Sequence, residues 1–516
     1  MTSKKILWVD DEIDSLKPHI LFLKQKGFDV AEAMSGDDAV AKVKNEHFDL
    51  ILLDEMMPGK DGLATLEEIK ELQPHLPVVM VTKSEEESLM EDAIGQKIDD
   101  YLVKPVNPSQ VLIVAKRLLD SNKIVSESHM KRYITGLNRF NQKLYGNIEP
   151  EDWLEAAQIL ATWDVELDAN PDDGLLQTHV GTRNEWNTEF TKYIEKNYQG
   201  WIHDETRPLL SPDILKKYML PVLKDGRKVL LIVVDCMRLD QWLTIESVLA
   251  EFYNISRDLY FSMVPSATPF ARNALFGGEF PDTIAKKYPE GWREGDEGSL
   301  NKNEDKLLVD LLEREKVKIE GSVRYEKIYD NTDGETLAKR VGNYFQSQMV
   351  AYVFNFLDIM AHGRSNNVIL KEIAGSESAF RSLMKSWFIH SPLFSILKSF
   401  AKKDFTVIVT SDHGSVLCSR GTVAHGKRDT STNLRYKYGN NLKCDPKDAI
   451  LIKNPEDYRL PKFGLATTYI IAKQDFYFVY PNRYNEFVKQ FQNSFQHGGI
   501  SLEEMVVPIS VMTPKK

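Results

Sequence analysis

Short, uninterrupted apolar runs punctuate the first 120 residues: Ile6-Leu7-Trp8-Val9, Asp29-Val30-Ala31, Leu50-Ile51-Leu52-Leu53, Val78-Val79-Met80-Val81 and Tyr101-Leu102-Val103. Runs this short and this uniformly apolar predict strands buried on both faces of a parallel sheet. The stretches between them are long enough for the crossover helices that parallel strands require. From about Ser121 to Arg207 the pattern changes. Trp153-Leu154, Ala157, Ile159-Leu160 and Trp163, then Trp186, Phe190, Tyr193 and Ile194, recur at spacings of three and four, which predicts helices with one apolar stripe. Breaks are expected at Gly146 to Pro150 and at Asn170 to Gly174. Strand-like runs then return at Lys228 to Asp235, Tyr352 to Asp358 and Thr406 to Gly414, predicting a second α/β sheet. The expected organisation is therefore residues 1–120, 121–207 and 208–516.

In parallel sheets, chemistry gathers at the carboxyl ends of the strands. The first runs end on Asp10-Asp11, Asp54, Thr82 and Lys104-Pro105. Three carboxylates converging on one edge repel one another unless a hard cation such as Mg2+ neutralises them. A carboxylate beside that ion and a lysine can act as nucleophile toward a phosphoryl group, forming an acyl phosphate. Asp54 is the expected phosphoacceptor, Asp10, Asp11 and Asp54 the expected Mg2+ ligands, and Thr82 and Lys104 the expected phosphoryl contacts.

Asp10-Asp11, the segment Asp54 to Gly62, Thr82 and Lys104-Pro105 resemble the receiver domain of two-component signalling over roughly residues 4–120. The resemblance implies a flavodoxin-like fold, a sensor histidine kinase as phosphodonor, and Tyr101 as an aromatic switch residue. Lys83 departs from the family, which commonly has a small residue there; that bears on dephosphorylation more than on phosphorylation.

The C-terminal region repeats the strand-end logic with another set of residues. Val234 is followed by Asp235, Leu357 by Asp358 with His362 four positions later, and Ser411 by Asp412-His413-Gly414. Near the end stands His497-Gly498-Gly499-Ile500-Ser501-Leu502-Glu503-Glu504. Asp and His are the ligands of hydrolytic zinc sites that keep coordination positions open. Asp358, His362 and His497 would hold one zinc; Asp235, Asp412 and His413 would hold the other. Two metals about 3.5–4 Å apart can clamp the attacking and leaving oxygens of a phosphoryl transfer. Thr268, at the start of a predicted helix, is the expected nucleophile and a further zinc ligand, with Ser266 the competing hydroxyl. Asn273 and His425 are candidate substrate contacts. His179 and His203 are assigned no chemistry.

These five motifs, in this order over roughly residues 208–516, resemble the alkaline-phosphatase superfamily and its PglZ-type branch. With the receiver and the helical bundle, the chain resembles PorX-type response regulators. The fold class so implied is α/β: receiver, central helical bundle, and an alkaline-phosphatase-like α/β domain. Members of that superfamily cleave phosphomonoesters, phosphodiesters or sulfate esters with serine, threonine or formylglycine. No cysteine occupies the nucleophile position, and a threonine resembles the phosphodiesterase branch more than monoesterases, whose serine is accompanied by an arginine clamp. The nearest arginine is Arg272, whose direction the sequence leaves open. The resemblance thus implies a zinc-dependent phosphodiesterase acting on nucleotides or oligonucleotides, and a role in controlling type IX secretion. The alternative is a zinc-stabilised module that docks a transcription or secretion-system protein without catalysis.

Composition then narrows the partners. Lys plus Arg number 65 against 76 Asp plus Glu, a net charge of −11, so no general electrostatic grip on duplex DNA is evident. The three cysteines are widely separated, which is no disulfide framework. No apolar run of about 18 residues is present, and Met1 to Lys5 lacks a secretory-signal core. A cytoplasmic protein without membrane insertion, forming a homodimer on phosphorylation, is the expectation.

Overall fold

The computed structural model describes residues 4–83, 98–144, 146–289, 301–366, 372–426 and 433–515. The chain divides into two compact units, Met1–Ile134 and Thr135–Lys516.

The first unit is built on five parallel strands: β1 (Lys5–Val9), β2 (Asp29–Ala33), β3 (Leu50–Asp54), β4 (Val78–Thr82) and β5 (Asp100–Val103), in the order β2-β1-β3-β4-β5. The runs of β1, β3 and β4 become the buried central strands, whereas β2 and β5, expected to be buried on both faces, lie at the sheet edges and are only partly buried. Alternate residues of β3 enter different cores: Leu50 and Leu52 join Trp8 and Ile20, whereas Ile51 and Leu53 join Val40 and Leu66. Fully burying each such side chain contributes about 1.5–3 kcal/mol. The helix Gly62–Leu72 starts so close to β3 that a Cβ on Gly62 would lie 2.4 Å from the Asp54 carbonyl oxygen, so glycine is required there. The crossover expected between β4 and β5 falls largely on residues 84–97, outside the described residues.

The expected breaks at Gly146 to Pro150 and at Asn170 to Gly174 separate the helices Pro108–Leu144, Pro150–Ala169 and Asp173–Trp201. The expected boundary at residues 120/121 falls inside the first of these. Residues 109–135 contain neither proline nor glycine, so nothing in the sequence stops backbone hydrogen bonding there. From Thr135 onward the helical region clusters with the C-terminal sheet. Its aromatic stripe packs Phe140 on Trp186 (centroids 4.2 Å apart), Trp153 on Phe190 (5.2 Å), and Trp201 on Phe261 (5.2 Å).

The second unit is organised by six strands: β6 (Val229–Val234), β7 (Tyr253–Phe261), β8 (Arg324–Ile328), β9 (Met349–Phe354), β10 (Thr406–Thr410) and the terminal strand Val506–Pro514. The order is β7, terminal strand, β10, β6, β9, β8. β10, β6, β9 and β8 run parallel, and the terminal strand is antiparallel to both β10 and β7. Cores on the two faces of the sheet bury β6 and β9 completely. A two-stranded antiparallel ribbon pairs Val416–Cys418 with Ser494–Gln496, matching Val416 with Gln496. That register returns a distant segment to the end of β10. Among the described residues no helix is long and apolar enough to cross a membrane.

Candidate active site

The carboxyl edge of the first sheet holds Asp10, Asp11 and Asp54, each offering a carboxylate oxygen within 4.8 Å of the others. Lys104 Nζ lies 2.8 Å from Asp10 Oδ2 and 2.9 Å from Asp54 Oδ2. Burial pushes Asp54 above its usual range, Lys104 opposes that, and Asp10 and Asp11 add repulsion. Burial acts to lower Lys104, but its bonds to Asp10 and Asp54 outweigh it and raise the ammonium. One lysine facing three carboxylates leaves an excess of negative charge, which is the chemistry that selects a hard divalent cation. Thr82 is buried at the end of β4, and Tyr101 is exposed on β5.

In the second unit, four separate chain segments meet at the carboxyl end of the sheet. Asp235 follows β6, Asp358 stands in the first turn of the helix Phe356–Asn366 after β9, and Asp412-His413 follows β10. His497 arrives next to them because the ribbon places Gln496 opposite Val416, three residues beyond His413. The His413 and His497 rings stack with centroids 4.2 Å apart.

The six residues form two clusters, Asp358/His362/His497 and Asp235/Asp412/His413, each with ligand atoms within 4.8 Å of one another. In the first, His362 Nε2 and His497 Nε2 are 2.9 Å apart and lie 3.3 Å and 3.2 Å from Asp358 Oδ1. In the second, His413 Nε2 is 3.7 Å from Asp235 Oδ1 and 3.6 Å from Asp412 Oδ2. His413 Nδ1 lies 3.0 Å from the Gly414 carbonyl, an acceptor to which only a protonated nitrogen can donate. The Nε2 lone pair of His413 therefore faces carboxylate oxygens, an arrangement that calls for a cation between them. Asp412 Oδ2 is buried with no hydrogen-bond donor. On these grounds the residues fit a pair of bound metal ions.

The electrostatics agree. Burial pushes Asp235 up to about 6, with the Arg272 guanidinium opposing and Asp412 and Asp358 adding repulsion. Burial also raises Asp412. It lowers His413 and His497, the direction that favours a neutral imidazole, whereas at His362 burial is outweighed by Asp358, which raises it. Burial opposes the charge of Asp358, yet the neighbouring His362 and His497 hold it well below the usual carboxylate range.

Thr268 opens the helix Thr268–Gly277, with its Oγ1 3.0 Å from His413 Nε2 and 3.3 Å from Asp235 Oδ1. Ser266 lies two residues away but donates to the Gly499 carbonyl at 2.7 Å. Of the two hydroxyls, Thr268, the expected nucleophile, is the one that faces the Asp/His clusters. Arg272 is buried and turned toward Asp235 Oδ2 (2.6 Å) and Glu304 Oε1 (2.5 Å). The neighbouring arginine is thus engaged in structural ion pairing. Asn273 Nδ2 donates 2.8 Å to the Pro269 carbonyl within its own helix. His425 is exposed and joins the backbone of Lys443, and no described contact brings its ring to the clusters. His179 is buried beside Asp164, and His203 lies 3.2 Å from the Asp457 carbonyl oxygen.

Sequence reasoning did not find the residues that hold His497 in place. Glu504 Oε1 accepts from the Gly499 amide at 2.8 Å, and Glu504 Oε2 accepts from Ser501 Oγ at 2.8 Å. Arg435 binds the same carboxylate at 3.0 Å and 2.5 Å, with both side chains fully buried. Gly498 sits at φ +111°, and a Cβ on Gly499 would come within 2.2 Å of the Arg435 guanidinium. The Gly-Gly pair and the acidic pair of the terminal motif are therefore one device. Its signal was the motif itself, but the partner 69 residues earlier carries none.

Comparisons with known proteins match three segments. Residues 214–512 match the BREX system PglZ alkaline phosphatase-like domain, residues 6–116 the response regulator receiver domain, and residues 123–202 the PorX response regulator linker domain. The transcriptional regulatory protein ResD of Bacillus subtilis is 39% identical over 115 residues, 22% of this chain and 48% of that protein. The alkaline phosphatase synthesis transcriptional regulatory protein PhoP of Bacillus subtilis is 34% identical over 128 residues, 24% and 52% of the two chains. The chain spans about half the length of these curated relatives. A CheY-like receiver domain protein from Methanospirillum hungatei JF-1 superposes with a TM-score of 0.23 at 32% identity, covering 23% of this chain and 96% of that one.

Proposed function

The chain belongs to the PglZ alkaline phosphatase-like family in its PorX-type response-regulator form, and from that premise we propose that it is a zinc-dependent phosphodiesterase under receiver control. The observation that carries the reading is Thr268 Oγ1, held 3.0 Å from His413 Nε2 and 3.3 Å from Asp235 Oδ1. Asp358, His362 and His497 would hold one zinc, and Asp235, Asp412 and His413, with Thr268, the other. When bound, the two ions would supply charge neutralisation, a lowered hydroxyl pKa and stabilisation of the leaving oxygen.

The chain's own residues do the rest. Thr268 Oγ1 attacks phosphorus as its proton passes to solvent; one ester oxygen departs with its electron pair and is protonated, leaving a phosphodiester between Thr268 and the retained ester group, which water then cleaves to a phosphomonoester and the free hydroxyl. The N-terminus of the helix Thr268–Gly277 places a positive dipole end beside the incoming anion. A monoester carries one more negative charge than a diester. Arg272, the arginine nearest Thr268 in sequence, is engaged by Asp235 and Glu304 and is not free to clamp that charge. This favours diesters, of nucleotide or oligonucleotide type. Zinc-loaded protein is expected to cleave bis(p-nitrophenyl) phosphate faster than p-nitrophenyl phosphate. Preference for the monoester would overturn the substrate class, and no turnover of either by zinc-loaded protein would overturn the enzyme.

The receiver would accept a phosphoryl group on Asp54 from a sensor histidine kinase, with Mg2+ held by Asp10, Asp11 and Asp54. Thr82, Lys104 and Tyr101 would transmit that event, and the phosphorylated receivers would pair as a homodimer. Control of type IX secretion from the cytoplasm is the process this architecture fits. Acetyl phosphate with Mg2+ is expected to produce a phosphorylated band on phosphate-affinity gels and a faster-sedimenting species. Asp54→Asn should abolish both. Dimerisation of treated Asp54→Asn equal to that of wild type would remove Asp54 from the switch.

A further inference from the structure

Behind the metal-ligand residues, the second unit contains a buried polar cluster that the proposed chemistry does not use. Asn187, inside the helix Asp173–Trp201, donates from Nδ2 to both oxygens of Glu503 at 3.0 and 3.1 Å. Its own Oδ1 accepts from the Leu502 amide at 2.7 Å. Arg183, one turn earlier, reaches Glu503 Oε1 at 3.5 Å and also pairs with Asp164 and Glu377. A solvated helix face would explain none of these contacts, because Asn187 is 6% exposed and the Glu503 carboxylate 9%.

Glu503 is tied to both metal-ligand segments. It follows His497 by six positions, in the single helical turn Leu502–Met505. Its carbonyl oxygen would lie 1.9 Å from a Cβ on Gly414, the residue after His413, and Gly414 N donates to the next carbonyl, that of Glu504, at 3.0 Å. A helix outside the α/β sheet therefore fixes, through one side chain and one amide, the turn against which both ligand-bearing segments rest.

We propose that Asn187, supported by Arg183, is a positioning residue for the metal centre: it clasps Glu503 and Leu502 and so holds His497 and His413 at ligating distance. The inference rests on the two-metal reading above, and it assigns the middle helices a part in the catalytic unit beyond that of a spacer. Residues that orient metal ligands typically change metal affinity or activity by about 10–100-fold when removed.

Zinc affinity of the full-length protein, measured by competition with a chromogenic chelator, tests the clasp without any turnover. Asn187→Asp sets a carboxylate against Glu503 and should weaken zinc binding by about tenfold or more. Adding Glu503→Gln restores a donor–acceptor pair in the opposite sense, and should recover most of that affinity. Thermal melting of metal-free protein separates the effect from general destabilisation, which would move the melt without moving affinity in the folded chain. If Asn187→Asp does not fold, Asn187→Ala, which only deletes the bonds, should still show the weakened affinity. Wild-type affinity in the folded Asn187 variants would overturn the clasp and leave the metal centre standing. A wild-type chain that binds no zinc would overturn the metal centre itself, and the clasp with it.

Discussion

Thr268→Ala is expected to lower kcat for phosphodiester cleavage by up to roughly 10⁶-fold, the scale of loss when a nucleophile that forms a covalent intermediate is removed. The chain has two hydroxyls in the same turn, so the control is internal. Ser266 Oγ is committed to the Gly499 carbonyl at 2.7 Å, whereas Thr268 Oγ1 lies among His413 and Asp235. Ser266→Ala should cost about 1 kcal/mol of stability through a lost buried hydrogen bond and keep most of the activity. Steady-state kinetics on the diester, with zinc content measured for each variant, decides between them. Equal losses in the two variants would mean that the turn as a whole, and not the Thr268 oxygen, is what the reaction needs.

Arg435→Leu is expected to destabilise the second unit by about 3–5 kcal/mol, the cost of leaving a buried charge unpaired. Arg435 and Glu504 are both 0% exposed, and the guanidinium also donates to the carbonyls of Gln474 and Lys473 at 2.6 and 3.2 Å. Leucine fills part of the volume but satisfies neither the carboxylate nor those oxygens. Arg435→Lys keeps the charge and loses the planar fork, so a smaller loss is expected. Chemical denaturation of the full chain measures both. Because Glu504 also accepts from the Gly499 amide at 2.8 Å, Arg435→Leu should weaken zinc binding as well. Unchanged stability in Arg435→Leu would mean that water reaches Glu504 in solution.

The receiver was legible because its chemistry is local to strand ends. Four of the five apolar runs end one residue before the group that matters, so naming the strands Lys5–Val9, Leu50–Asp54 and Val78–Thr82 already places Asp10, Asp54 and Thr82 on one edge. The same rule located Asp235 and Asp412-His413 just beyond β6 and β10, but the strand expected to run to Asp358 stops at Phe354 and Asp358 stands in the first turn of the next helix. His497 was recognisable only as a motif, since nothing near it in the sequence states that Gln496 pairs with Val416.

What the sequence by itself determined is whatever depends on period and spacing: buried strands, the aromatic helical stripes with their breaks, and the ligand types at strand ends. The sequence favoured Thr268 over Ser266 from its place at a helix start, but only the tertiary structure showed which hydroxyl faces the Asp/His clusters, since Ser266 is taken up by the Gly499 carbonyl. The tertiary structure likewise turned Arg272 inward to Asp235 and Glu304, and joined Asn187 to Glu503 and Arg435 to Glu504. These partners are 32 to 316 residues apart. A charged or amide side chain leaves no periodic trace of its partner, because its pairing is set by which buried surfaces the folded backbone brings into contact.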